Sequence, residues 1–313
     1  MEETIKTNPK RKKVSYAKWG YIFILSFFVV YIIFTLVPQV VTIVDSFYCY
    51  IPKDGNPLNL GKPEFCGFDN YAAIFKINDR NEIEIFKTLG NTLIMWILGA
   101  VPQLLVSLLL ALIFTATKLK LKGTGFFKTL FYMPNLIMAA AFSSLFLILF
   151  STIGPFHVFF EQNGWISSNF DFISDKVWAR VLVAFMNFLM WFGNTTILLM
   201  AGIQSIDESI FESARIDGAS SSRILFDITL PLLKPTVVYV LITSMIGGLQ
   251  MYDVPQVLTN KVKNNDTRTI VMLINEYIGG RNYGYAGAVS VILFIITGIL
   301  SLIVFKSINK KED

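Results

Sequence analysis

Long apolar stretches alternate with short polar connections along this chain. Six of the stretches are about 20 residues or longer. A helix of about 20 residues crosses a hydrocarbon core of roughly 30 Å, because each residue advances about 1.5 Å. The pattern therefore predicts an all-α polytopic membrane protein with about six transmembrane helices. The predicted spans are residues 19–44, 90–115, 126–150, 177–200, 235–255 and 285–305.

The third predicted span is interrupted by Pro134 and Asn135. Proline removes a helical hydrogen bond, and membrane helices tolerate such a break where neighbouring protein or a cavity satisfies the freed backbone groups. We therefore expect a broken helix that faces a cavity.

A polar connection at residues 205–231 separates the fourth span from the fifth. Ser205 and Glu208 have the Ser-x-x-Glu spacing of a capping box. A short helix is predicted to begin there, and Gly218 is predicted to end it.

A second short helix is predicted at residues 223–229, with a cap from the serines at 220–222. Pro231 would then set the start of the next segment, because its ring prevents an interior helical hydrogen bond. The two helices predict a helix-turn-helix elbow between membrane segments.

Composition supports the membrane interpretation. Hydrophobic residues make up 54% of the 313 residues, and the mean hydropathy is +0.57. Soluble domains hold about 45–50% apolar residues even with glycine counted. The net charge of +5 could indicate a nucleic-acid partner, but the basic residues cluster at the ends of the apolar stretches, as cytoplasmic flanks do. We therefore exclude nucleic-acid binding.

Basic residues also predict the orientation. With the N-terminus inside, sixteen of the 27 Lys and Arg residues fall in cytoplasmic segments, as the positive-inside rule requires. Residues 1–18, the elbow and residues 306–313 are then cytoplasmic, and residues 45–89 form an external loop. The first apolar stretch is too long for a secretory signal and lacks a cleavage site, so it is predicted to remain as an anchor.

The external loop holds both cysteines, Cys49 and Cys66. On an oxidising face they could close a disulfide, and two unpaired thiols fit the sequence equally well. The only histidine, His157, is predicted to be a solvated loop residue. One histidine is too small a ligand set to predict a metal site.

Residues 123–129 superficially resemble a phosphate-binding loop. Phe127 stands where the glycine before Lys128 must let the backbone approach phosphate, and no strand precedes the segment, so a basic membrane flank is favoured. The chain shows no Ser/His/Asp set and no paired carboxylates. It is therefore predicted not to be an enzyme, and the energy for transport must come from a partner.

Several elbow residues stand at the spacing of a known motif. They are Glu212, Ala214, Gly218, Ile228, Leu230 and Pro231. The spacing resembles the EAA motif of permease subunits of binding-protein-dependent ABC importers, with Ser213 in place of the usual alanine. The flanking Asp217-Gly218-Ala219 resembles the carbohydrate-importer version. The resemblance implies a coupling helix that docks on a cytoplasmic ATPase through Glu212, Ala214, Asp217, Gly218, Ala219, Leu230 and Pro231.

The resemblance extends from about Gly67 to the C-terminus. GFDNYAAIF, KTLGNTLIMW, YMPN, GPFHVFF, TRTIVMLINEY and YGYAGAVSVILF stand in the order found in permeases of the carbohydrate uptake family related to the maltose importer. Gly154-Pro155 and the extended N-terminus resemble the first of the two non-identical permeases in such systems.

This resemblance implies an ABC importer type I permease fold in a bacterial cell (inner) membrane. The implied partners are a homologous second permease, two cytoplasmic ATPase subunits and an extracellular solute-binding protein that delivers a sugar or oligosaccharide. ATP and Mg²⁺ would be used by the ATPase, and no cofactor is expected on this chain.

Three polar or aromatic residues share one face of the fourth span. Asn187, Trp191 and Asn194 recur at i, i+4 and i+7. Amides can bond sugar hydroxyls, and an indole can stack on a pyranose ring. Asparagines that stabilise helix packing would give the same pattern. The resemblance to the maltose permease favours a substrate path.

The fifth span carries a matching stretch, with Ser244, Gly248, Met251 and Tyr252 as candidate substrate-path residues. Glycine stands at 247 and 248, where the family often has larger polar residues, so we expect room for a bulkier oligosaccharide. Asp253 is expected to be a solvated or gating charge near the external end.

Three other functions are alternatives to a sugar permease. A permease for glycerol-phosphate or another polar solute would share the elbow and the spans. A secondary transporter should show inverted repeats and a charged coupling residue in mid-membrane. An integral-membrane enzyme would need a reactive cluster near the interface. Neither of the last two patterns is present in the sequence.

Overall fold

A computed structural model describes residues 17–50, 62–78, 81–116, 122–262 and 266–308. These residues are mostly helical. The helices are α1 (Ala17–Tyr31), α2 (Val37–Asp45), α3 (Asp69–Ile74), α4 (Glu84–Thr115), α5 (Thr124–Leu136), α6 (Ala139–Leu149), α7 (Pro155–Gln162), α8 (Lys176–Gln204), α9 (Glu208–Ile216), α10 (Ser221–Arg223), α11 (Leu230–Leu249), α12 (Asp253–Val262), α13 (Ile270–Gly279) and α14 (Tyr283–Ile308). Two short strands, β1 (Tyr48–Cys49) and β2 (Glu64–Phe65), pair antiparallel.

Within the described residues, five helical segments are long and apolar enough to span a membrane, and the bent pair α5–α6 raises the number to six. They lie at the six predicted spans, but their ends differ. α4 begins at Glu84, ahead of the predicted start at residue 90. The apolar pattern marks only the part of a helix that lies in hydrocarbon, whereas the helix itself continues into polar flanks.

The first span is one helical segment, in which α1 joins α2 through the π-helical turn Ile32–Leu36. Most of its large apolar side chains are exposed on this chain, and α2 packs against α14. A Cβ built on Gly287 of α14 would lie 2.9 Å from the carbonyl oxygen of Thr42. The small residue therefore lets the two backbones approach closely, as is common between membrane helices.

The third span is broken, as predicted. α5 and α6 meet at an angle of 92°. The break lies at residues 137–138, two residues beyond Asn135. Asn135 Nδ2 donates to the Met190 carbonyl oxygen of α8 at 3.2 Å, so a neighbouring helix anchors the chain next to the break.

The fifth span extends into the elbow, and the predicted boundary at Pro231 is wrong. Ser220 Oγ accepts from the Arg223 amide at 3.3 Å, and the helix that it caps continues through the π-helical segment Ile224–Thr229 into α11. Pro231 stands in the first turn of α11, just after this segment, where a missing amide is tolerated. The predicted short second helix is thus the first part of a long one.

The predicted fifth span, residues 235–255, also crosses a break in the structure. α11 ends at Leu249 and α12 begins at Asp253. The apolar pattern runs across this break, because residues on both sides are buried against other helices.

The described residues of the predicted external loop are organised around the β1–β2 pair. Cys49 and Cys66 form a disulfide, with 5.7 Å between their Cα atoms. Asn70 of α3 donates to the carbonyl oxygens of Ser46 and Tyr48, each at 3.0 Å. The disulfide and these bonds together hold α3 against the end of α2.

His157 is 1% exposed, so the prediction of a solvated loop residue is wrong. It lies in the short helix α7, and the His157 ring packs against Phe172. Its Nε2–H donates to the carbonyl oxygen of Phe170 at 2.7 Å. The segment between the third and fourth spans is rich in aromatic residues, and their packing withdraws the imidazole from water.

α4 and α8 pack side by side along much of their length. A Cβ built on Gly99 would lie 2.8 Å from the Ala184 carbonyl oxygen. Buried polar contacts also cross this interface, since Gln103 Nε2 donates to Thr195 Oγ1 at 2.8 Å and Ser107 Oγ donates to the Phe192 carbonyl oxygen at 2.8 Å. The two helices therefore form the central pair of the bundle.

A polar network closes one end of this pair. Arg180 of α8 donates from Nη2 to Asn91 Oδ1 at 2.6 Å and from Nε to the Asp266 carbonyl oxygen at 2.9 Å. Its side chain is only 13% exposed. Because the guanidinium is largely withdrawn from water, it depends on these acceptors.

Arg268 forms the second part of the network. It pairs with Glu84 of α4 and Glu276 of α13. Burial acts to lower the pKa of Arg268, but hydrogen bonds to Glu276 and Glu84 raise it overall, so the guanidinium stays charged. The network thereby joins α4, α8 and α13.

Replacing Arg180 by methionine should lower the free energy of unfolding by about 3 kcal/mol, because Asn91 and Asp266 lose a charged donor in a poorly hydrated place. Thermal denaturation of the purified protein measures the change. The control is Lys176→Met, since Lys176 is 59% exposed and lies 3.8 Å from Asp266. Such a surface pair contributes less than about 1 kcal/mol. Equal losses in the two variants would contradict a structural role for the network.

Candidate functional site

Helices α4, α8 and α11 border a cavity of about 220 Å³. Every residue that lines it is uncharged. The lining residues are Met95, Trp96, Gly99, Ala100, Gln103, Asn187, Trp191, Asn194, Thr195, Leu198, Tyr239, Val240, Thr243, Ser244, Gly247, Gly248 and Met251.

The predicted polar face of α8 lies on this cavity. Asn187, Trp191 and Asn194 all line it. Asn187 Nδ2 donates to the Val183 carbonyl oxygen at 2.9 Å and lies 3.5 Å from Met251 Sδ. Trp191 is 48% exposed, so the cavity opens to the surface of this chain beside its indole. Contact of these residues with cargo stays a prediction.

Trp96 of α4 occupies the space beside Gly248. A Cβ built on Gly248 would lie only 2.1 Å from Trp96 Cδ1. Trp96 Nε1 also donates to Ser244 Oγ at 3.3 Å. The expectation that Gly248 leaves room for a bulkier cargo is therefore wrong, because the indole takes that room. Gly247 differs, since nothing lies within 4 Å of its Cβ position.

The last two predicted path residues, Met251 and Tyr252, both lie in the break between α11 and α12. Met251 lines the cavity and is 8% exposed, and its carbonyl oxygen accepts from Thr269 Oγ1 at 2.9 Å. Tyr252 is half-buried and does not belong to the cavity lining. Asp253 is exposed at the start of α12. Six of the seven predicted path residues thus share one cavity.

Several lining residues were not predicted, among them Trp96, Gln103, Tyr239 and Thr243. Trp96 and Gln103 lie seven residues apart in the second span, a spacing that places both on one helix face. The same test that selected Asn187 and Asn194 would have found them. Tyr239 and Thr243 stand at i and i+4 in the fifth span and carry the same signal.

The elbow begins with a cap that differs from the predicted one. Asp207 Oδ1 accepts from the Ser209 amide at 2.9 Å, and this bond lowers the pKa of the Asp207 carboxyl. Ser205 instead donates to the Gly202 carbonyl oxygen at 2.7 Å. The predicted capping box is therefore wrong, because α8 continues to Gln204 and Ser205 terminates it.

Gly218 follows the end of α9, as predicted, and its φ of +76° lies in the left-handed region that favours glycine. The Ala219 amide donates to the Ala214 carbonyl oxygen at 2.9 Å, and the Gly218 amide donates to that of Arg215 at 3.1 Å. This pair of bonds is the Schellman motif. Nothing lies within 4 Å of the Cβ position of Gly218, so the backbone conformation, not space within this chain, requires glycine.

The predicted coupling residues lie in two places. Glu212, Asp217 and Gly218 are exposed on α9 and its turn, with Ala214 and Ala219 partly buried beside them. Leu230 and Pro231 stand apart, in the first turn of α11.

A second cavity lies beneath the elbow. It measures about 480 Å³ and is lined by Phe211 and Arg215 of α9, by the π-helical segment and by the ends of α4 and α8. On its outer side, α9 exposes 86% of Ile216. An apolar side chain thus projects from the elbow.

Known proteins resemble nearly the whole chain. The family model for the binding-protein-dependent transport system inner membrane component matches residues 85–311. The multiple sugar-binding transport system permease protein MsmF of Streptococcus mutans serotype c is 28% identical over 309 residues, which cover 96% of this chain and 99% of that protein. The lactose transport system permease protein LacF of Rhizobium radiobacter is 27% identical over 297 residues, 94% of this chain and 95% of that protein.

The fold also has a counterpart among solved structures. A chain in the crystal structure of a bacterial ABC transporter involved in the import of the acidic polysaccharide alginate superposes with a TM-score of 0.77. The match covers 95% of this chain and 96% of that chain at 20% sequence identity. It shows the fold, that of an ABC importer permease.

The contact between Trp96 and Gly248 can be tested with two neighbouring glycines. Gly248→Ala should cost about 1–3 kcal/mol of stability, because the new methyl group collides with the indole. The methyl group of Gly247→Ala would meet no neighbouring atom, so this variant should gain up to about 1 kcal/mol of stability from helix propensity. Thermal denaturation of the purified permease distinguishes the two variants.

Adding Trp96→Ala to Gly248→Ala should remove the collision, so the loss in the double variant should be smaller than the sum of the single losses. Equal stability of the two glycine variants would show that the indole does not occupy this space.

Proposed function

Because this chain belongs to the family of binding-protein-dependent transport system inner membrane components, we propose that it forms the translocation path for a sugar or oligosaccharide delivered by an extracellular solute-binding protein. The observation that carries this proposal is the cavity between α4, α8 and α11, in which amides, hydroxyls and two indoles meet.

The cavity lining suits a carbohydrate. Asn187, Asn194 and Thr243 offer donors and acceptors for sugar hydroxyls, and Trp96 and Trp191 offer aromatic faces for the apolar faces of a sugar ring. The relatives MsmF and LacF are named as transport permeases for multiple sugars and for lactose. Their names support the same class of cargo here.

A homologous second permease would close the path. Trp191 and Tyr239 line the cavity and are 48% and 57% exposed on this chain. A cavity with open aromatic walls needs a further surface to enclose a sugar. A heterodimer of two related permeases would supply that surface.

The elbow would dock on one of two ATPase subunits, which bind ATP and Mg²⁺ and hydrolyse the nucleotide. Glu212 and Asp217 supply exposed carboxylates, and Ile216 supplies an exposed apolar anchor. The helix from Ser221 to Leu249 connects the elbow directly to the cavity. A displacement of the elbow by the ATPase would therefore move Ser244 and Gly248 at the cavity wall.

The family places the chain in the inner membrane, and we propose that both termini and the elbow are cytoplasmic. The distribution of Lys and Arg supports this orientation. The disulfide between Cys49 and Cys66 supports it too, because disulfides persist on the oxidising side of the membrane.

Coupling is tested by two substitutions at Gly218. Gly218→Val should abolish ATP-driven uptake while the permease still inserts, because a β-branched residue strongly disfavours a positive φ. Gly218→Asn should keep most of the uptake, because asparagine tolerates the left-handed region. The measurement uses the complete importer in proteoliposomes, with sugar uptake and ATP hydrolysis followed together.

In the wild-type importer, sugar-loaded binding protein should stimulate ATP hydrolysis, and the valine variant should lose this stimulation. Uptake by Gly218→Val at the wild-type rate would refute coupling through the elbow. A wild-type complex that no saccharide stimulates would refute the proposed cargo.

Orientation is tested by single cysteines. Ser174→Cys, next to the start of α8, should react with a membrane-impermeant maleimide on intact cells, because the proposed orientation places it outside. Ser220→Cys in the elbow should react only after the cells are permeabilised. The opposite labelling pattern would invert the orientation.

A further inference from the structure

We propose that the cavity admits uncharged saccharides only, and that Trp96, fixed against Gly248, is the rigid aromatic wall that receives the sugar ring. This inference rests on the proposed function, and it names the class of cargo within it.

The first support is the chemistry of the lining. All seventeen lining residues are uncharged, and their polar groups are amides, hydroxyls and indole nitrogens. The charged side chains of α4 and α8 lie towards the ends of these helices. Arg180 is seven residues, or about 10 Å along the helix axis, from Asn187. Its guanidinium is already bonded to Asn91 and Asp266.

The second support is the cost of moving a charge through such a site. A carboxylate or phosphate that enters the cavity gives up water and finds no opposite charge on the walls that this chain contributes. Unpaired charges are expensive in the middle of a membrane protein. A neutral sugar loses only hydroxyl–water bonds, which Asn187, Asn194 and Thr243 can replace.

The third support is the way Trp96 is held. Its Nε1–H is bonded to Ser244 Oγ at 3.3 Å, and its Cδ1 edge fills the place of a side chain at Gly248. The indole is therefore fixed before cargo arrives, and it loses little side-chain entropy when a ring packs on it. A fixed aromatic surface favours a flat, apolar sugar face over a flexible ionic group.

Placing a charge of either sign in the cavity tests whether only uncharged cargo is admitted. Asn194→Glu and Asn194→Lys should each reduce uptake about tenfold or more, and by similar factors, because a neutral sugar compensates neither charge. Uptake is measured in proteoliposomes that contain the complete importer. It is normalised to the membrane abundance of each variant and to the amount of assembled complex. The control pair, Gln162→Glu and Gln162→Lys on the exposed end of α7, should leave uptake unchanged.

An anionic cargo predicts a different pattern, in which the lysine variant keeps its uptake and only the glutamate variant loses it. That asymmetry would overturn the inference. The wild-type importer provides an independent test, with radiolabelled lactose, maltotriose and arabinotriose as neutral probes and trigalacturonate and sn-glycerol 3-phosphate as charged probes. Uptake of either charged probe at a rate equal to the best neutral probe would also overturn it. Uptake of none of the saccharides would refute the proposed function itself.

The role of Trp96 is tested separately. Trp96→Leu should raise the half-saturation concentration for uptake about fivefold, since loss of an aromatic contact costs on the order of 1 kcal/mol beyond area burial. Trp96→Phe should restore much of the affinity at equal thermal stability. Wild-type uptake by the leucine variant, or equal defects in both variants, would remove Trp96 from the cargo path.

Discussion

The packing of α4 against α8 is the constraint on which the other parts of the structure depend. Gly99 brings the two backbones together, and the bond from Gln103 to Thr195 fixes their register. In lipid there is little hydrophobic gain from pairing helices, so close packing and internal hydrogen bonds must hold them. This pair then positions the Arg180 network at one end, the cavity in the middle and the elbow at the other end.

A single helical segment links the elbow to the cavity. From Ser221 to Leu249 the chain keeps helical hydrogen bonds, with one π-helical segment just before Pro231. A helix resists bending, so a displacement of the elbow would be transmitted to the far end of the segment. The irregular π-helical segment lies beside the 480 Å³ cavity, where the chain has space to move. Rigidity along α11 and space at its base are the two properties that the proposed transmission of movement from the elbow to the cavity requires.

The sequence was most informative where one residue type has one physical role. Apolar length predicted the spans, and the glycine at 218 predicted the end of α9. It was least informative where function depends on contacts between distant segments. Trp96 and Gly248 are far apart in the chain, and only the fold shows that one fills the space left by the other. The predicted boundary at Pro231 and the predicted solvation of His157 were wrong for a similar reason. A π-helical segment surrounds the first position, and an aromatic cluster surrounds the second.

The same physical rule explains both the fold and the cavity. A charge inside a membrane protein must be paired or placed where water reaches it, and this chain puts Arg180 and Arg268 in networks at the ends of helices. Among the described residues, those that line the 220 Å³ cavity offer only uncharged polar groups, each able to bond within the protein or with a hydroxyl. A path built in this way conducts molecules whose polarity resembles that of its walls. Selection against charge is thus a consequence of the way the helices are stabilised.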